Sequence, residues 1–311
     1  MPPTYKVVLT ILCVIFPLCD SAAAIEKMSP RVAVVVSQRI RPYLEAVEGL
    51  RGELAQDSEA EIDEFDLESF TGRGQDILAR DLTAGRFDLF IAIGPSAARF
   101  VWARFPSQET RKLCTMVLGP EKELAPAESV CSIALGIPVR TQLQILSCGL
   151  PSARRVGILY DPLWNTEFVK QAAEYSSEFG LKIVPLEVSS KKNIPIVLQQ
   201  HWEGLDALLL IPDHTVISES IVKYIIKQAI SEGVAVIGYN RFFYESGAAL
   251  AFVFDYEEIG EQTARRALKI LAGEGCETEA PIFHTWLNSR VIKTLGIQVA
   301  GDGCPGIEVG P

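Results

Sequence analysis

The feature that most constrains the fold is a regular alternation of short β-branched runs with longer stretches of helical periodicity. One series extends from the apolar run at 32–36 to residue 118, and a second extends from Arg155 to Tyr239. Strand–helix–strand alternation is typical of parallel βαβ units, whose sheets are covered by helices on both faces. The pattern therefore predicts an α/β protein with two Rossmann-like lobes, each built on a parallel sheet.

The prolines and glycines between the two series predict how the lobes are divided. An amphipathic segment at 139–148 is bracketed by prolines, which favours a crossover near 148–153. The first lobe is predicted to comprise residues 31–149 plus about 255–280, and the second 150–254 plus about 281–300. Hinge strands are expected near 148–153, 252–255 and 277–281. Residues 301–311 begin with four glycines or prolines in six positions and are predicted to form a loose tail.

Residues 1–24 have the three-part layout of a secretory signal peptide. A single cation, Lys6, precedes an apolar run at 7–18 and a stretch of small residues ending at Ala24. The apolar run is shorter than the roughly 20 residues that span a bilayer, which favours cleavage after Ala24 over an uncleaved anchor. Lipid modification at Cys19 is an alternative. The layout predicts a periplasmic protein exported by a cleavable signal peptide.

The charge balance excludes some classes of partner. The chain has 29 basic and 39 acidic side chains, a formal net charge of −10. Removal of residues 1–24 takes away one charge of each sign, so the mature chain keeps this value. An acidic surface repels nucleic acid and anionic lipid. We therefore expect no nucleic-acid partner, and we expect a monomer.

The cysteines carry no metal or redox motif. Seven are present, of which two lie in the predicted signal peptide. Their spacing contains no C-x-x-C, and an odd number in the mature chain leaves at least one thiol unpaired. Buried, unpaired cysteines are the favoured interpretation, and a bridge such as Cys114 to Cys131 is an alternative that spacing cannot decide. The mature cysteines are Cys114, Cys131, Cys148, Cys276 and Cys304.

No constellation in the sequence points to catalysis. The chain has no G-x-S-x-G elbow, no phosphate-binding G-x-x-x-x-G-K-[ST] loop, and no G-x-G-x-x-G after the first strand. The three histidines, His201, His214 and His284, have no second histidine or cysteine at ligand spacing. We therefore expect no catalytic residues, no metal and no cofactor, and a protein that is not an enzyme.

Small, polar or turn-forming residues follow successive predicted strands. They occur at 37–38, 95–96, 119–120, 160–161, 213–215 and 239–241. Ligands of open parallel sheets bind outside the carboxyl ends of the strands, so these loops are expected to converge on one cleft.

From Arg155 onward the sequence resembles a known family. The relevant segments are 155–162 (RVGILYDP) with Asn165 and Thr166, 210–213 (LIPD) with Thr215, and 254–256 (FDY) with Gly260. They resemble the substrate-binding proteins of ABC importers with the type I periplasmic fold, in a branch often associated with aromatic amino acids. The resemblance covers about residues 31–299 and is weaker in the first lobe. It implies capture of a small molecule between the lobes and delivery to an ABC permease in the membrane.

The first lobe departs from that family at three places. Gly94-Pro95 stands where the family usually has a Gly-Thr pair, and Gly119-Pro120 where it usually has an Asp-Pro after the next strand. Residues 129–132 replace an Asn and a Thr-Gly pair. These departures remove side chains that would hold the polar end of a ligand.

For an amino acid or similar zwitterion, the carboxylate is expected at the helix start after Gly94, with Ser96 as a further donor. The ammonium is expected at Asp213, which is alternatively a helix cap. Tyr160, Tyr239 and Phe242 are walls or packing residues, and Arg241 either reaches an anionic group or lies on the rim. The candidate ligand-binding residues are Ser37, Gln38, Pro95, Ser96, Gly119, Tyr160, Asn165, Thr166, Asp213, Thr215, Tyr239, Arg241, Phe242 and Asp255.

Three other functions are left open by the sequence. One is an envelope sensor that passes a ligand signal to a partner protein. A second is an interaction module on the same fold that has lost its ligand, which the first-lobe departures favour. The third, an enzyme, has the least support.

Overall fold

The structure, a computed structural model, describes residues 29–57, 59–124, 130–216, 218–299, 304 and 306–311. The predicted signal peptide, residues 1–24, lies outside this range. The strands are β1 (Arg31–Val36), β2 (Glu61–Asp66), β3 (Leu89–Ile93), β4 (Lys112–Val117), β5 (Ser132–Ala134), β6 (Arg155–Tyr160), β7 (Lys182–Glu187), β8 (Ala207–Leu210), β9 (Ala235–Gly238), β10 (Leu250–Val253), β11 (His284–Leu287) and β12 (Ile307–Val309). The helices are α1 (Arg41–Asp57), α2 (Arg73–Ala84), α3 (Pro95–Arg104), α4 (Pro120–Glu123), α5 (Val139–Gly149), α6 (Pro162–Ser176), α7 (Ile194–His201), α8 (Glu219–Ser231), α9 (Arg241–Glu245), α10 (Tyr256–Leu271) and α11 (Ser289–Leu295).

The strands form two sheets, which confirms the predicted α/β class with two lobes. The N-terminal lobe holds a parallel sheet in the order β2-β1-β3-β4-β5. The C-terminal lobe holds a sheet in the order β12-β11-β10-β9-β8-β6-β7. This second sheet is parallel except where β11 runs antiparallel to β10.

Helices α1 and α10 cover one face of the N-terminal sheet and touch backbone to backbone. A Cβ added at Gly49 would overlap the carbonyl oxygen of Glu257, and one added at Gly260 would overlap that of Ala46. Only residues without a side chain permit this approach. Helix α10 therefore belongs to the N-terminal lobe although it follows β10 of the other sheet.

Three segments connect the lobes, and the first of them corrects a prediction. Leu135 packs on the N-terminal core, whereas Ile137 and Leu143 are buried with β6 in the C-terminal core. The chain therefore crosses near Gly136 and not near 148–153, because the apolar face of α5 packs against α6. The first lobe accordingly ends about residue 135 and not at 149. Phe254 contacts both cores, and the third crossing follows Glu279, which still pairs with Ile133.

The tail prediction is also wrong in part. Strand β12 pairs in parallel with β11, with Thr285 opposite Ile307 and Leu287 opposite Val309. The hydroxyl of Tyr244 donates a hydrogen bond to the carbonyl oxygen of Pro311 at 3.1 Å. The end of the chain thus covers the edge of the C-terminal sheet instead of lying loose.

Four cysteines are paired, which corrects the interpretation of buried, unpaired thiols. Cys131 is bonded to Cys276, and Cys148 to Cys304, while Cys114 is free and buried. The alternative bridge between Cys114 and Cys131 is wrong, because the two side chains lie in core clusters on opposite faces of the N-terminal sheet. Both bonds connect positions far apart in sequence, which spacing does not reveal.

Within the described ranges, every helix is too short or too polar to cross a lipid bilayer.

Candidate functional site

The loop after β1 and the start of α3 are connected by Ser37. Its backbone N–H donates to the carbonyl of Ile93 at 2.9 Å, and its hydroxyl accepts a hydrogen bond from the N–H of Ala97 at 2.9 Å. Gly94 has φ +89°, and a Cβ there would lie 2.7 Å from both the Ser37 Oγ and the Tyr43 Cζ. The serine hydroxyl is therefore an internal cap for α3, and the turn requires glycine.

Because of this cap, most backbone N–H groups at the predicted anion site are unavailable to a ligand. Pro95, the first residue of α3, has no N–H, and the N–H of Ala97 is bound by Ser37. The N–H of Ala98 already bonds to the carbonyl of Gly94 within the helix. Among the described residues, only the N–H of Ser96 remains in the first turn to meet a ligand. The exposed Ser96 hydroxyl accepts a hydrogen bond from Arg99 at 3.3 Å.

The neighbouring strand ends present apolar side chains. Gln38 is half-buried, and its carbonyl accepts the N–H of Ile40, whose side chain is 39% exposed. Within the last residues of β4, a register shift accompanies the positive φ of Met116, and Leu118 follows the strand with 51% exposure. Gly119 is half-buried, and its carbonyl accepts the N–H groups of Lys122 and Glu123 in α4.

In the C-terminal lobe, Asp213 joins the loops after β6 and β8. Its Oδ2 accepts hydrogen bonds from the N–H of Asp161 and from the side-chain amide of Asn165, each at 2.8 Å. Its Oδ1 accepts the N–H of Thr215 at 2.8 Å. The side chain is 1% exposed. The carboxylate therefore satisfies donors of the protein itself, in keeping with a positioning role.

Asp161 completes the network. Its Oδ1 accepts the N–H of Leu163 at 3.0 Å and caps α6, and its Oδ2 accepts the hydroxyl of Thr215 at 2.7 Å. The hydroxyl of Thr166 donates to the carbonyl of Pro162 at 2.7 Å. Three predicted ligand residues, Asn165, Thr166 and Thr215, thus have hydrogen-bond partners inside the lobe.

The rigid network carries an exposed aromatic pair. The rings of Trp164 and His214 lie edge to face with their centroids 5.0 Å apart. Trp164 is 57% exposed and Leu163 is 85% exposed. The strand-end pattern of polar residues includes His214 but misses Leu163 and Trp164. The signal that would have found them is a pair of large apolar residues directly after the proline that begins a helix.

Two tyrosines predicted as cleft walls are mostly buried. The hydroxyl of Tyr160 donates to Glu187 Oε1 at 2.8 Å, and burial, followed by this bond and the charge of Glu187, raises the pKa of Tyr160 to about 12. Tyr239 packs with its ring centroid 4.4 Å from that of Phe243. Burial and then the charge of Asp213 raise the pKa of Tyr239 to about 12. Both phenols therefore stay protonated at neutral pH.

The remaining predicted residues lie at the start of α9, after β9, or at the crossing segment. The guanidinium of Arg241 lies 4.9 Å from the ring centroid of Trp286 on β11. Phe242 is half-buried beside Lys223, whose Nζ lies 5.5 Å from its ring centroid. Asp255 is exposed and caps α10, and its Oδ1 accepts the backbone N–H groups of Glu257 and Glu258.

A groove of about 540 Å³ lies at the opposite end of the N-terminal sheet. Phe87, Phe105 and Arg111 contribute to its lining at the amino ends of β3 and β4. Ligands of such sheets bind at the carboxyl ends, so this groove is not part of the candidate site. Among the residues that the structure describes, no three His, Cys, Asp or Glu side chains are grouped to hold a metal ion.

Known proteins share the family and the fold of this chain. Residues 31–302 match the family described as ABC transporter substrate binding protein. A substrate binding protein with adhesive properties from Clostridium difficile, solved in a ligand-free, open state, has a TM-score of 0.72 at 19% identity, covering 91% of this chain and 100% of that chain. No protein with a curated description matches the sequence.

Two further structures share the architecture. An ABC domain from Streptococcus pneumonia in complex with L-Trp has a TM-score of 0.59 at 16% identity, covering 90% of this chain and 100% of that one. A periplasmic ribose ABC transporter structure from Conexibacter woesei has a TM-score of 0.59 at 14% identity, covering 86% of this chain and 95% of that one. At these identities the likeness establishes the type I periplasmic binding fold and not the ligand. Because the family match spans most of its length, the chain belongs to the family of ABC transporter substrate-binding proteins.

Proposed function

We propose that this protein is the solute-binding component of an ABC importer, exported to the periplasm as a monomer. It captures a small molecule between its lobes, without chemistry, and delivers it to a membrane permease. The observation that best supports this proposal is the exposed Trp164–His214 pair, which lies on a hydrogen-bonded edge of the C-terminal sheet. A binding surface is most specific when fixed elements position it.

The connections between the lobes support capture by closure. The chain crosses near Gly136, at Phe254 and after Glu279, and none of the three crossings is a helix. Short extended connections of this kind act as hinges in two-lobed binding proteins. A ligand that contacts both strand-end edges would then favour the closed form.

The relatives support the same proposal. The Streptococcus structure holds L-Trp, and the Conexibacter protein is described as a ribose transporter. These ligands differ widely, so they support small-molecule capture in general. The Clostridium protein is described as having adhesive properties, which keeps the interaction module as the rival function.

Mass spectrometry of small molecules carried through purification from a native-like host tests the proposal. Each candidate is then added to refolded protein, and the melting temperature and the radius of gyration are measured. We expect at least one solute to raise the melting temperature and to reduce the radius of gyration. A ligand at 100 times its Kd adds about 2.7 kcal/mol of stability. The absence of both changes with every solute would favour the interaction module.

A further inference from the structure

We infer that the cleft takes an uncharged molecule with an aromatic ring, and not a free amino acid or other zwitterion. The inference rests on the proposed function and names the ligand class of that same site. Two observations support it. The polar groups that would bind a charged ligand are hydrogen-bonded within the protein, and the side chains exposed at the strand ends are mostly apolar.

The position for a ligand carboxylate is largely filled. At the start of α3, Pro95 offers no N–H, and the N–H of Ala97 is taken by the Ser37 hydroxyl at 2.9 Å. A helix start binds an anion through several free N–H groups together. One remaining donor, at Ser96, is too few to offset the desolvation of a carboxylate.

Arg241 does not replace that position. Its guanidinium is held over the ring of Trp286 on β11. Strands β9 and β10 separate β11 from β8, which leads to His214. A carboxylate bound at Arg241 would therefore lie beside Trp286, on a strand three positions along the sheet from β8.

The position for a ligand ammonium is filled as well. Asp213 is 1% exposed and accepts three hydrogen bonds from protein donors. Asp161 is 5% exposed, and its two oxygens are bound by Leu163 and Thr215. An ammonium would have to break this network to reach either carboxylate, and broken charge-assisted bonds are costly.

The exposed side chains at the strand ends have the opposite character. Two of them follow strands of the N-terminal sheet, Ile40 after β1 and Leu118 after β4. Two others, Leu163 and Trp164, follow β6 of the C-terminal sheet. All four side chains are between 39% and 85% exposed. Burial of such surface under a ligand is favourable in proportion to its apolar area. Trp164 offers a ring for aromatic contact, and the imidazole of His214 beside it offers ring nitrogens for a hydroxyl or ring N–H of the ligand.

Paired ligands that differ only in charge test this inference. Indole and L-tryptophan, and likewise p-cresol and L-tyrosine, are titrated into the refolded chain by calorimetry. We expect each uncharged compound to bind roughly tenfold or more tightly than its amino acid, since it brings no unpaired charge into the cleft.

Two variants locate the site. Trp164→Ala should weaken the uncharged ligands by roughly tenfold, because it removes an aromatic contact. Tyr224→Ala, which changes a 38% exposed aromatic residue on α8, should leave binding unchanged. Equal melting temperatures of the two variants would show that a loss of binding is local.

The outcomes separate the two proposals. The inference would be overturned if the amino acids bind more tightly than their uncharged partners. It would also be overturned if Trp164→Ala binds indole as tightly as the unchanged protein does. If only a charged solute raises the melting temperature and compacts the protein, the importer function stands and the ligand class is wrong. If no solute binds at all, both proposals fail.

Discussion

The carboxylate of Asp213 accepts a hydrogen bond from the backbone N–H of Asp161 at 2.8 Å, across the ends of strands β8 and β6. The residues that follow each partner, His214 and the pair Leu163 and Trp164, point outward into solvent. The polar residues at this edge thus fix the backbone, and the aromatic and apolar residues beside them form the exposed surface.

Asp213→Asn tests this network. Asparagine retains one acceptor oxygen and turns its NH₂ group toward protein donors, so we expect a loss of about 2–4 kcal/mol in the free energy of unfolding. Urea titration measures the change. The control is Asp255→Asn, where asparagine is an equally good cap for an exposed helix start and should cost less than about 0.5 kcal/mol. Similar stabilities of the two variants would contradict the role of Asp213.

The contact between α1 and α10 is tested by two glycines on the same helix. Gly49→Ala forces a methyl group against the backbone of Glu257, and we expect a loss of about 1–3 kcal/mol or more. At Gly52 an added Cβ meets nothing within 4 Å, so Gly52→Ala should instead stabilise the helix by up to about 1 kcal/mol. Thermal unfolding of both variants measures the difference, and two changes of the same sign would refute the close approach.

Asp206 should make stability depend on acid pH. Burial opposes its ionisation, but hydrogen bonds from the side chain and backbone of Arg155 and from the N–H of Arg154 outweigh burial and lower its pKa. Because the folded pKa lies below the unfolded value of about 3.9, the stabilisation is complete above that value and is lost as the pH falls through the folded pKa.

The measurement compares the protein with Asp206→Asn by urea titration from neutral pH downward. The stability difference should stay constant between about pH 6 and 8 and should shrink below about pH 4. A difference that persists unchanged below about pH 3 would show that the charge of Asp206 contributes nothing.

Thiol titration tests the disulfide pairing in the chain without residues 1–24. The native protein should show no reactive thiol at about pH 8, because burial, followed by the charge of Glu121, raises the pKa of Cys114 to about 12. Denaturation without reductant should expose one thiol, and reduction of the two bonds should bring the total to five. Three thiols before reduction would mean that one bond is absent.

The fold was largely predictable because its signals are local. The periods of strand and helix are encoded in consecutive residues: β1 covers the apolar run at 32–36, and α5 covers the amphipathic segment at 139–148. The first crossing was misplaced because α5 has the same amphipathic pattern whichever lobe it covers. Only its packing against α6 decides that it belongs to the second lobe.

The strand ends at which the candidate site was placed were predictable, but the hydrogen-bond partners of its residues were not. Strand ends could be read from the sequence, and Asp213 lies at one of them as expected. Its role depends on donors from Asp161 and Asn165, about fifty residues earlier, and sequence does not show which polar side chains bond to each other. Leu163 and Trp164 were missed because a sequence pattern assigns large apolar residues to a core, whereas both side chains are exposed.

The sequence by itself determined the α/β class, the two lobes and the strand ends where a ligand is expected, because each follows from the spacing of apolar and turn residues along a short stretch of chain. The tertiary structure alone decided the crossing near Gly136, the pairing of β12 at the sheet edge, and the bonds Cys131–Cys276 and Cys148–Cys304. It also decided that Asp213 is buried while Trp164 is exposed. These features depend on contacts between residues distant in the chain, whose energies local patterns do not encode.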